Sequence, residues 1–377
     1  DCVIGMKDPS SVNRVFSPKV HGTLVLEQVL SRFQLDFFVL FSSTSSLLGL
    51  VGQVDYTAAN AFLNAFAHSR NPGGEGPVVA VDWGIWKDVG MAAGSLLRPG
   101  ETPEVPETSI GADTGHPLLG RRVVTSDEET IFLARYEVNS LWVLKDHCLA
   151  SGEALVPGTG YLELARAAHV AAGLGERCKL IDFNFLTPLG VSSTQPRDVR
   201  TRLTRSEEGL RVQVSSRGES SEEWLLHAEG FIAPLAEVVP SALQKSVLEE
   251  HCTEHSVELT DDGRIASQTR HVRFGPRWQV LESIALGANE ALAKLRLGEE
   301  FAADIAIHAL HPGLFDLCTG FAHSLVADFD PEREFFAPMS YGSVKLHAPL
   351  CLELISHVRL REPADAQVAR FDVVVAD

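Results

Sequence analysis

Apolar positions in the first ninety residues switch between two periods. Between Val12 and Arg32 the apolar residues Leu24, Leu26, Val29 and Leu30 recur at helical spacing, which predicts one helix. The run Asp36–Ser42 (DFFVLFS) is short and apolar on both faces, as a buried parallel strand requires. Tyr56–Ser69 returns to helical spacing, with Ala59, Phe62, Leu63 and Phe66 on one face. Pro77–Trp83 (PVVAVDW) predicts a second buried strand, so the segment reads as strand–helix–strand. Residues 93–115 change character: Pro99, Gly100, Pro103, Pro106, Gly111 and Gly115 stand among Glu, Thr and Ser, a linker composition. From His116 onward strands dominate, at Thr130–Tyr136, Arg200–Ser206, Leu210–Ser216 and Glu223–Ile232, around one helix at Tyr161–Ala172. A loop region over 235–265 carries a short acidic helix, Ser241–Glu250. The pattern then recurs, with strands at Ala291–Leu297 and Val344–His347 and one helix at Pro312–Ala327. One long helix per set of strands, twice, predicts two similar α+β units without sequence self-similarity.

Bulk properties narrow the classes. A chain of 377 residues suits two or three domains, and 45% apolar with 22% charged residues suits ordinary cores. A net charge of −18 argues against nucleic acid, whose binding needs a basic face. Cys2, Cys148, Cys178, Cys252, Cys318 and Cys351 form no Cys-x-x-Cys pair, which argues against zinc or dithiol chemistry and for reduced thiols. No apolar run reaches the ~18 residues of a membrane span, and no signal peptide pattern opens the chain. It starts without Met and inside a pattern. The expectation is a cytoplasmic piece of a longer protein.

Two constellations carry chemistry. In the first, Ser43 ends the first strand, Tyr56 follows thirteen residues later, Asn60 lies one helical turn beyond, and Lys19 stands twenty-four residues before Ser43. A Ser and a Tyr at a strand's carboxyl end can donate to a ketone oxygen, and a lysine charge assists a tyrosine as proton donor. In the second, His147 precedes a short Gly-containing loop, then Pro157, Gly158 and an amphipathic helix. That places an imidazole beside a helix N-terminus, whose unpaired N–H groups can hold a carbonyl oxygen. A base next to such a site is what proton removal alpha to a thioester requires.

These residues carry a resemblance. The segments PKV, FSSTSSLLGLVGQVDYTAANAFLNAFA and VDWGIW resemble the C-terminal half of a polyketide synthase ketoreductase domain, a short-chain dehydrogenase, over residues 1–92. The resemblance implies Lys19, Ser43, Tyr56 and Asn60 as its catalytic tetrad. It also implies an incomplete α/β Rossmann-like half, because no Gly-rich loop for a nicotinamide cofactor lies in these residues. NADPH therefore belongs to the intact ketoreductase only, and no complete cofactor-binding set and no metal set is expected here.

After the linker at 93–115, His116-Pro117-Leu118-Leu119-Gly120 resembles the start of a polyketide synthase dehydratase domain, an α+β double hotdog. The resemblance implies His147 as base, in a loop one residue longer than usual before Pro157. It implies Asp316, in Leu310-His311-Pro312-Gly313-Leu314-Phe315-Asp316, as acid, with Gly320 where the family commonly has Gln or His. Phe274-Gly275-Pro276-Arg277-Trp278 resembles the family's Tyr-Gly-Pro-x-Phe segment, and Tyr341-Gly342-Ser343-Val344 its Tyr-x-x-Val motif. Gly158, Phe274, Gly320 and Tyr341 are the implied substrate-binding residues. The implied boundaries are an N-terminal hotdog at 116–235, an inter-hotdog linker at 236–255 and a C-terminal hotdog at 256–377 that stops before a final strand. Ketoreductase before dehydratase is an unusual order for the family.

The implied reaction is elimination of water from a β-hydroxyacyl thioester to give an α,β-unsaturated thioester. It needs no cofactor of its own. The implied partners are an acyl carrier protein bearing the substrate on phosphopantetheine, other polyketide synthase domains, and a second copy in a homodimer, with no nucleic acid or membrane. The longer loop around Ser151 and the missing donor at Gly320 leave a cyclase or double-bond isomerase as an alternative. A non-catalytic structural domain is a further one.

Overall fold

The computed structural model describes residues 7, 9–49, 53–70, 78–84, 111–126, 129–219, 221, 223–239, 245–254, 259, 265, 271–326, 329–330, 337–361 and 369–377. The chain divides into two compact units, Asp1–Gly100 and Glu101–Asp377.

The first unit begins with helix α1 (Pro9–Phe16), a π-helical turn (Ser17–His21) and helix α2 (Gly22–Leu30). The single helix expected over Val12–Arg32 is thus broken in register by a π turn, with Pro18 in its first turn. Strand β1 (Phe38–Ser43), a short α3 (Ser45–Leu48), helix α4 (Val54–Arg70) and strand β2 (Val78–Trp83) follow, and β1 pairs parallel with β2 from Phe38↔Val78 to Ser43↔Trp83. The apolar face read from the sequence makes the core: Leu63, Phe66 and Ala67 of α4 pack on Leu40. Pro77 and residues 93–110 of the expected linker lie outside the described residues.

The second unit opens with β3 (Ala112–Asp113), which pairs with β4 (Arg121–Ser126), so the sheet already begins inside the stretch expected as linker. Then come β5 (Glu129–Tyr136), α5 (Trp142–Lys145), β6 (His147–Leu149), β7 (Ala154–Leu155), α6 (Gly158–Ala171), β8 (Cys178–Phe185), β9 (Gly190–Val191), β10 (Arg197–Ser206), β11 (Gly209–Gly218) and β12 (Leu225–Pro234). Helix α7 (Lys245–His251) lies in the segment expected to connect the halves. The remainder is β13 (Val272–Phe274), β14 (Leu281–Leu286), β15 (Glu290–Arg296), α8 (Ala302–Ile307), α9 (Pro312–Gly320), β16 (Ser340–Leu346), β17 (Glu353–Arg361) and β18 (Arg370–Ala376).

Each long helix lies on its own antiparallel sheet. Helix α6 packs on β8, β10 and β12, and α9 on β15, β17 and β18, while α6 and α9 pack on each other. Leu162, Leu164, Ala165 and Ala168 of α6 share one core with Leu314, Leu317 and Cys318 of α9. The halves also exchange strands. β16 pairs antiparallel with β8 and completes the eight-stranded sheet of the first half, in the order β16-β8-β12-β11-β10-β5-β4-β3. β13 pairs with β6, placing Phe274 opposite His147.

The helix expected over Pro312–Ala327 ends at Gly320, and a separate 3-10 turn follows at His323–Leu325. Phe321, which is 2% exposed, turns into the core at the break. His323 therefore does not share a helix face with Asp316, as unbroken helical spacing requires. Among the described residues no helix is long and apolar enough to cross a membrane.

Candidate active site

In the first unit the π turn carries Lys19. Its ammonium donates to Phe41 O at 2.9 Å and Asn60 Oδ1 at 2.8 Å, and it lies 5.4 Å from the centre of the Tyr56 ring. Asn60 Nδ2 donates to Tyr56 O at 2.8 Å, and the neighbouring Ser42 hydroxyl donates to Asn60 O at 3.1 Å. Partial burial pushes the Lys19 amine below its ordinary range. Lys19, Tyr56 and Asn60 thus converge beside the carboxyl end of β1. The Ser43 hydroxyl instead accepts the N–H of Ser45, at the start of α3.

In the second unit His147 opens β6 and is 7% exposed. Its Nδ1 lies 2.8 Å from Leu155 O. A carbonyl oxygen only accepts, so Nδ1 carries the hydrogen and the lone pair is on Nε2. Burial pushes the imidazole below its ordinary range, against the opposing pull of the Asp316 charge and the Leu155 carbonyl. A hairpin joins β6 and β7 after His147: Leu149 N–H donates to Glu153 O at 2.9 Å and Gly152 N–H to Leu149 O at 2.8 Å.

Pro157 precedes α6, which has no side-chain cap. Gly160 N–H turns back onto Pro157 O at 2.9 Å, and the N–H groups of Gly158 and Thr159 ahead of it are those an α-helix leaves without an intrahelical acceptor. Gly158 is required here by close approach, since a Cβ would stand 2.8 Å from Phe185 Cε2.

Asp316 lies on α9. Burial pushes its carboxyl up, while the His147 charge and a hydrogen bond from Trp278 pull it down. That bond runs from Trp278 Nε1 to Asp316 Oδ2 at 2.9 Å. Trp278, 0% exposed, ends the 3-10 turn Pro276–Trp278; its ring lies 5.4 Å from His147 and stacks at 6.2 Å on Phe274. Gly313 makes this approach possible, because a Cβ there would meet Arg277 O at 2.6 Å and Trp278 Cδ2 at 3.0 Å. On the other side Tyr341 stacks on Phe315 at 6.2 Å and meets Phe185 edge-on at 6.0 Å. Its hydroxyl lies 2.8 Å from Thr319 Oγ1. Gly320 ends the same helix, and a Cβ there would meet nothing within 4 Å.

The sequence-predicted His147, Asp316, Phe274, Tyr341, Gly158 and Gly320 therefore fall within one interdigitated set of elements. The sequence marks Trp278 only as an aromatic of the Phe-Gly-Pro-x-Trp segment and carries no sign of its bond to Asp316. Nor does it mark the ionic frame behind the site. Arg277 donates to Asp304 Oδ2 at 2.6 Å and Asp146 Oδ2 at 3.2 Å, tying the Trp278 turn to the residue before His147. Glu163 of α6, 0% exposed, accepts two bonds from Arg166, the N–H of Leu310 at 2.9 Å, and pairs with His116 Nε2 at 3.0 Å. Thr159 donates to Pro312 O at 2.9 Å. His116 and Pro312 could be read from motifs, but long-range partners such as Glu163 with Leu310 leave no local signal.

Residues 1–88 match the family described as KR domain. Residues 116–217 match that described as Polyketide synthase dehydratase domain, and residues 259–377 that described as Polyketide synthase dehydratase N-terminal domain. Over 145 residues the chain is 37% identical to 6-methylsalicylic acid synthase of Aspergillus terreus, covering 38% of this chain and 7% of that protein. It therefore spans only a small part of that relative's length. Among solved structures, the dehydratase domain from the CurF module of Curacin polyketide synthase superposes with a TM-score of 0.61 at 22% identity, covering 69% of this chain and 93% of that one. A trans-AT PKS dehydratase domain from Brevibacillus brevis gives 0.61 at 22% identity, covering 70% and 92%.

Proposed function

Since the chain belongs to the polyketide synthases, a ketoreductase-domain segment followed by a dehydratase domain, we infer that residues 116–377 form a double hotdog that removes water from a β-hydroxyacyl thioester. The observation that carries this reading is the placement of one buried indole, seated against the His147 ring and hydrogen-bonded to Asp316.

His147 is the base. Its Nδ1–H is committed to Leu155 O, so Nε2 takes the α-proton. N–H groups at the start of α6, beside Gly158, polarise the thioester carbonyl and stabilise the enolate. Asp316, whose carboxyl burial pushes up, gives its proton to the β-hydroxyl as the Cβ–O bond breaks. The Cα–H electrons become the double bond, the hydroxyl leaves as water, and the proton on His147 returns to Asp316 to close the cycle. Phe274 and Tyr341 flank the acyl chain. The thioester itself acidifies the α-carbon, so the step calls for no cofactor.

The substrate arrives on the phosphopantetheine arm of an acyl carrier protein. Other polyketide synthase domains and a second copy of the chain are its companions in the cytoplasm. In the first unit Lys19, Tyr56 and Asn60 fit the reacting end of a nicotinamide–ketone pair, which NADPH would supply with hydride. Residues 1–92 contain no Gly-x-Gly-x-x-Gly segment to hold its pyrophosphate, so no reduction is derived for them.

Mass spectrometry of a β-hydroxyacyl carrier protein incubated with this chain tests the reading. Loss of one water supports it. A product of unchanged mass but altered retention identifies an isomerase or cyclase, and an unchanged substrate identifies a non-catalytic domain.

A further inference from the structure

The residue one turn after the acid is Gly320, which has no side chain to orient the carboxyl. We propose that Trp278 is a positioning residue for the dehydration, its indole N–H supplying Asp316 with the hydrogen bond that position 320 cannot supply. This rests on the reading of Asp316 as the acid.

Geometry makes the assignment specific. An indole N–H is a donor only, so Asp316 Oδ2 accepts from it at 2.9 Å and the acidic proton is kept on Oδ1. The carboxyl is thereby fixed in one orientation, with one oxygen anchored and the other presenting the proton. A donor at position 320 would approach from the same helix as the acid. Trp278 approaches from the turn after β13, which pairs with the His147 strand. The same ring packs against His147, so base and acid are set by one rigid side chain instead of two independent ones. Arg277, anchored on Asp146 and Asp304, holds that turn from the adjacent position. Among the described residues, the titratable groups that feel Asp316 are His147 on β6, Tyr341 on β16 and Cys318 on α9. None of their atoms donates to the carboxyl in the hydrogen bonds described above.

The test uses three variants of the whole chain, Trp278→Phe, Gly320→Gln and the double variant, on a β-hydroxyacyl thioester of N-acetylcysteamine. Trp278→Phe keeps an aromatic against His147 and removes only the N–H and one ring. Dehydration turnover is expected to fall roughly tenfold to a hundredfold, the scale of one hydrogen bond to a charged group, with KM unchanged. Exchange of the α-proton with deuterium is expected to persist, since His147 and the start of α6 are intact. The alkaline limb of the turnover profile is expected to move up by about one pH unit, because the bond that favours the ionised carboxyl is gone. Gly320→Gln alone adds a second side-chain donor on the acid's own helix and is the reference against which the double variant is read. In the Trp278→Phe background it is expected to recover most of the loss, a non-additivity that a packing defect would not produce.

Wild-type turnover and an unmoved alkaline limb in Trp278→Phe overturn the proposal. So does equal loss of exchange and dehydration without recovery in the double variant, which makes Trp278 a packing residue. Carbon NMR of labelled aspartate, with Asp316→Asn for assignment, follows the carboxyl directly. Its titration is expected to move up in Trp278→Phe even if the wild-type chain dehydrates nothing. An unmoved resonance therefore sinks the hydrogen-bond role, whereas a moved one with no water loss in any variant sinks only the dehydratase reading.

Discussion

Replacing Glu163 by Gln probes the ionic tie between the two halves. The carboxylate is buried in α6, takes both Arg166 bonds and holds the Leu310 N–H, whereas Gln keeps the shape and cannot balance the charge of Arg166, itself 7% exposed. Burial alone would raise the Glu163 carboxyl, but Arg166 and His116 outweigh it and hold it at about 2, against an ordinary 4.5. At about 1.4 kcal/mol per pH unit, that difference of roughly 2.5 corresponds to about 3 kcal/mol of folding stability. Leaving one partner of a buried pair uncompensated costs about 3–5 kcal/mol, so two separate routes give the same scale. The sign follows from the depressed value: the contribution is fully present above 4.5 and is lost as pH falls from there through about 2. Urea unfolding of wild type and Glu163→Gln, followed by circular dichroism, is expected to show a gap of about 3 kcal/mol at neutral pH. The gap is expected to narrow steadily below 4.5, because the other carboxylates titrate alike in both proteins. A neutral-pH gap below about 1 kcal/mol, the worth of an exposed pair, or a gap indifferent to acid, refutes the reasoning.

Three further outcomes concern the site. His147→Ala is expected to leave the circular dichroism spectrum unchanged and to lower dehydration turnover by ~10²–10⁴, the scale of general acid–base catalysis; mass-spectrometric rates check it. Asp316→Asn is expected to abolish water loss while retaining some α-proton exchange, read as deuterium incorporation into recovered substrate. The pH–turnover profile is expected to be bell-shaped. Its acid limb lies below the ordinary 6.5 of histidine, where His147 takes up a proton, and its alkaline limb above the ordinary 3.8 of aspartate, where Asp316 loses one. A rate that rises monotonically with pH removes Asp316 as acid.

Much of this architecture is legible in the sequence because it is local. The apolar run Asp36–Ser42 and the spacing of Ala59, Leu63 and Phe66 point to β1 (Phe38–Ser43) and α4 directly. Pro157-Gly158 and His311-Pro312 mark the starts of α6 and α9, Pro157 as the extended N-cap residue of α6 and Pro312 in the first turn of α9, where proline's missing N–H costs nothing. The misses are long-range or depend on packing. The π turn at Lys19 reflects its reach to Phe41 and Asn60, which helical periodicity does not encode. The end of α9 at Gly320 is set by Phe321 turning inward, although the apolar pattern continues to Ala327. Trp278 and Asp316 lie 38 positions apart, and a Trp that fills a Phe position looks like a volume change until its N–H direction is known.

The strand exchanged between halves has a consequence during synthesis. β8 is made early, but its edge partner β16 ends at Leu346, about 110 residues after the close of β12 at Pro234. At roughly 5–20 residues per second, translation alone imposes a delay of about 6–20 s. Throughout it the first-half sheet presents β8, with its buried Leu180 and Phe183, as an unpaired edge open to a neighbouring nascent chain. Crowded translation of a long multidomain message would make that interval a hazard, so slow codons between Pro234 and Ser340 should lower soluble yield.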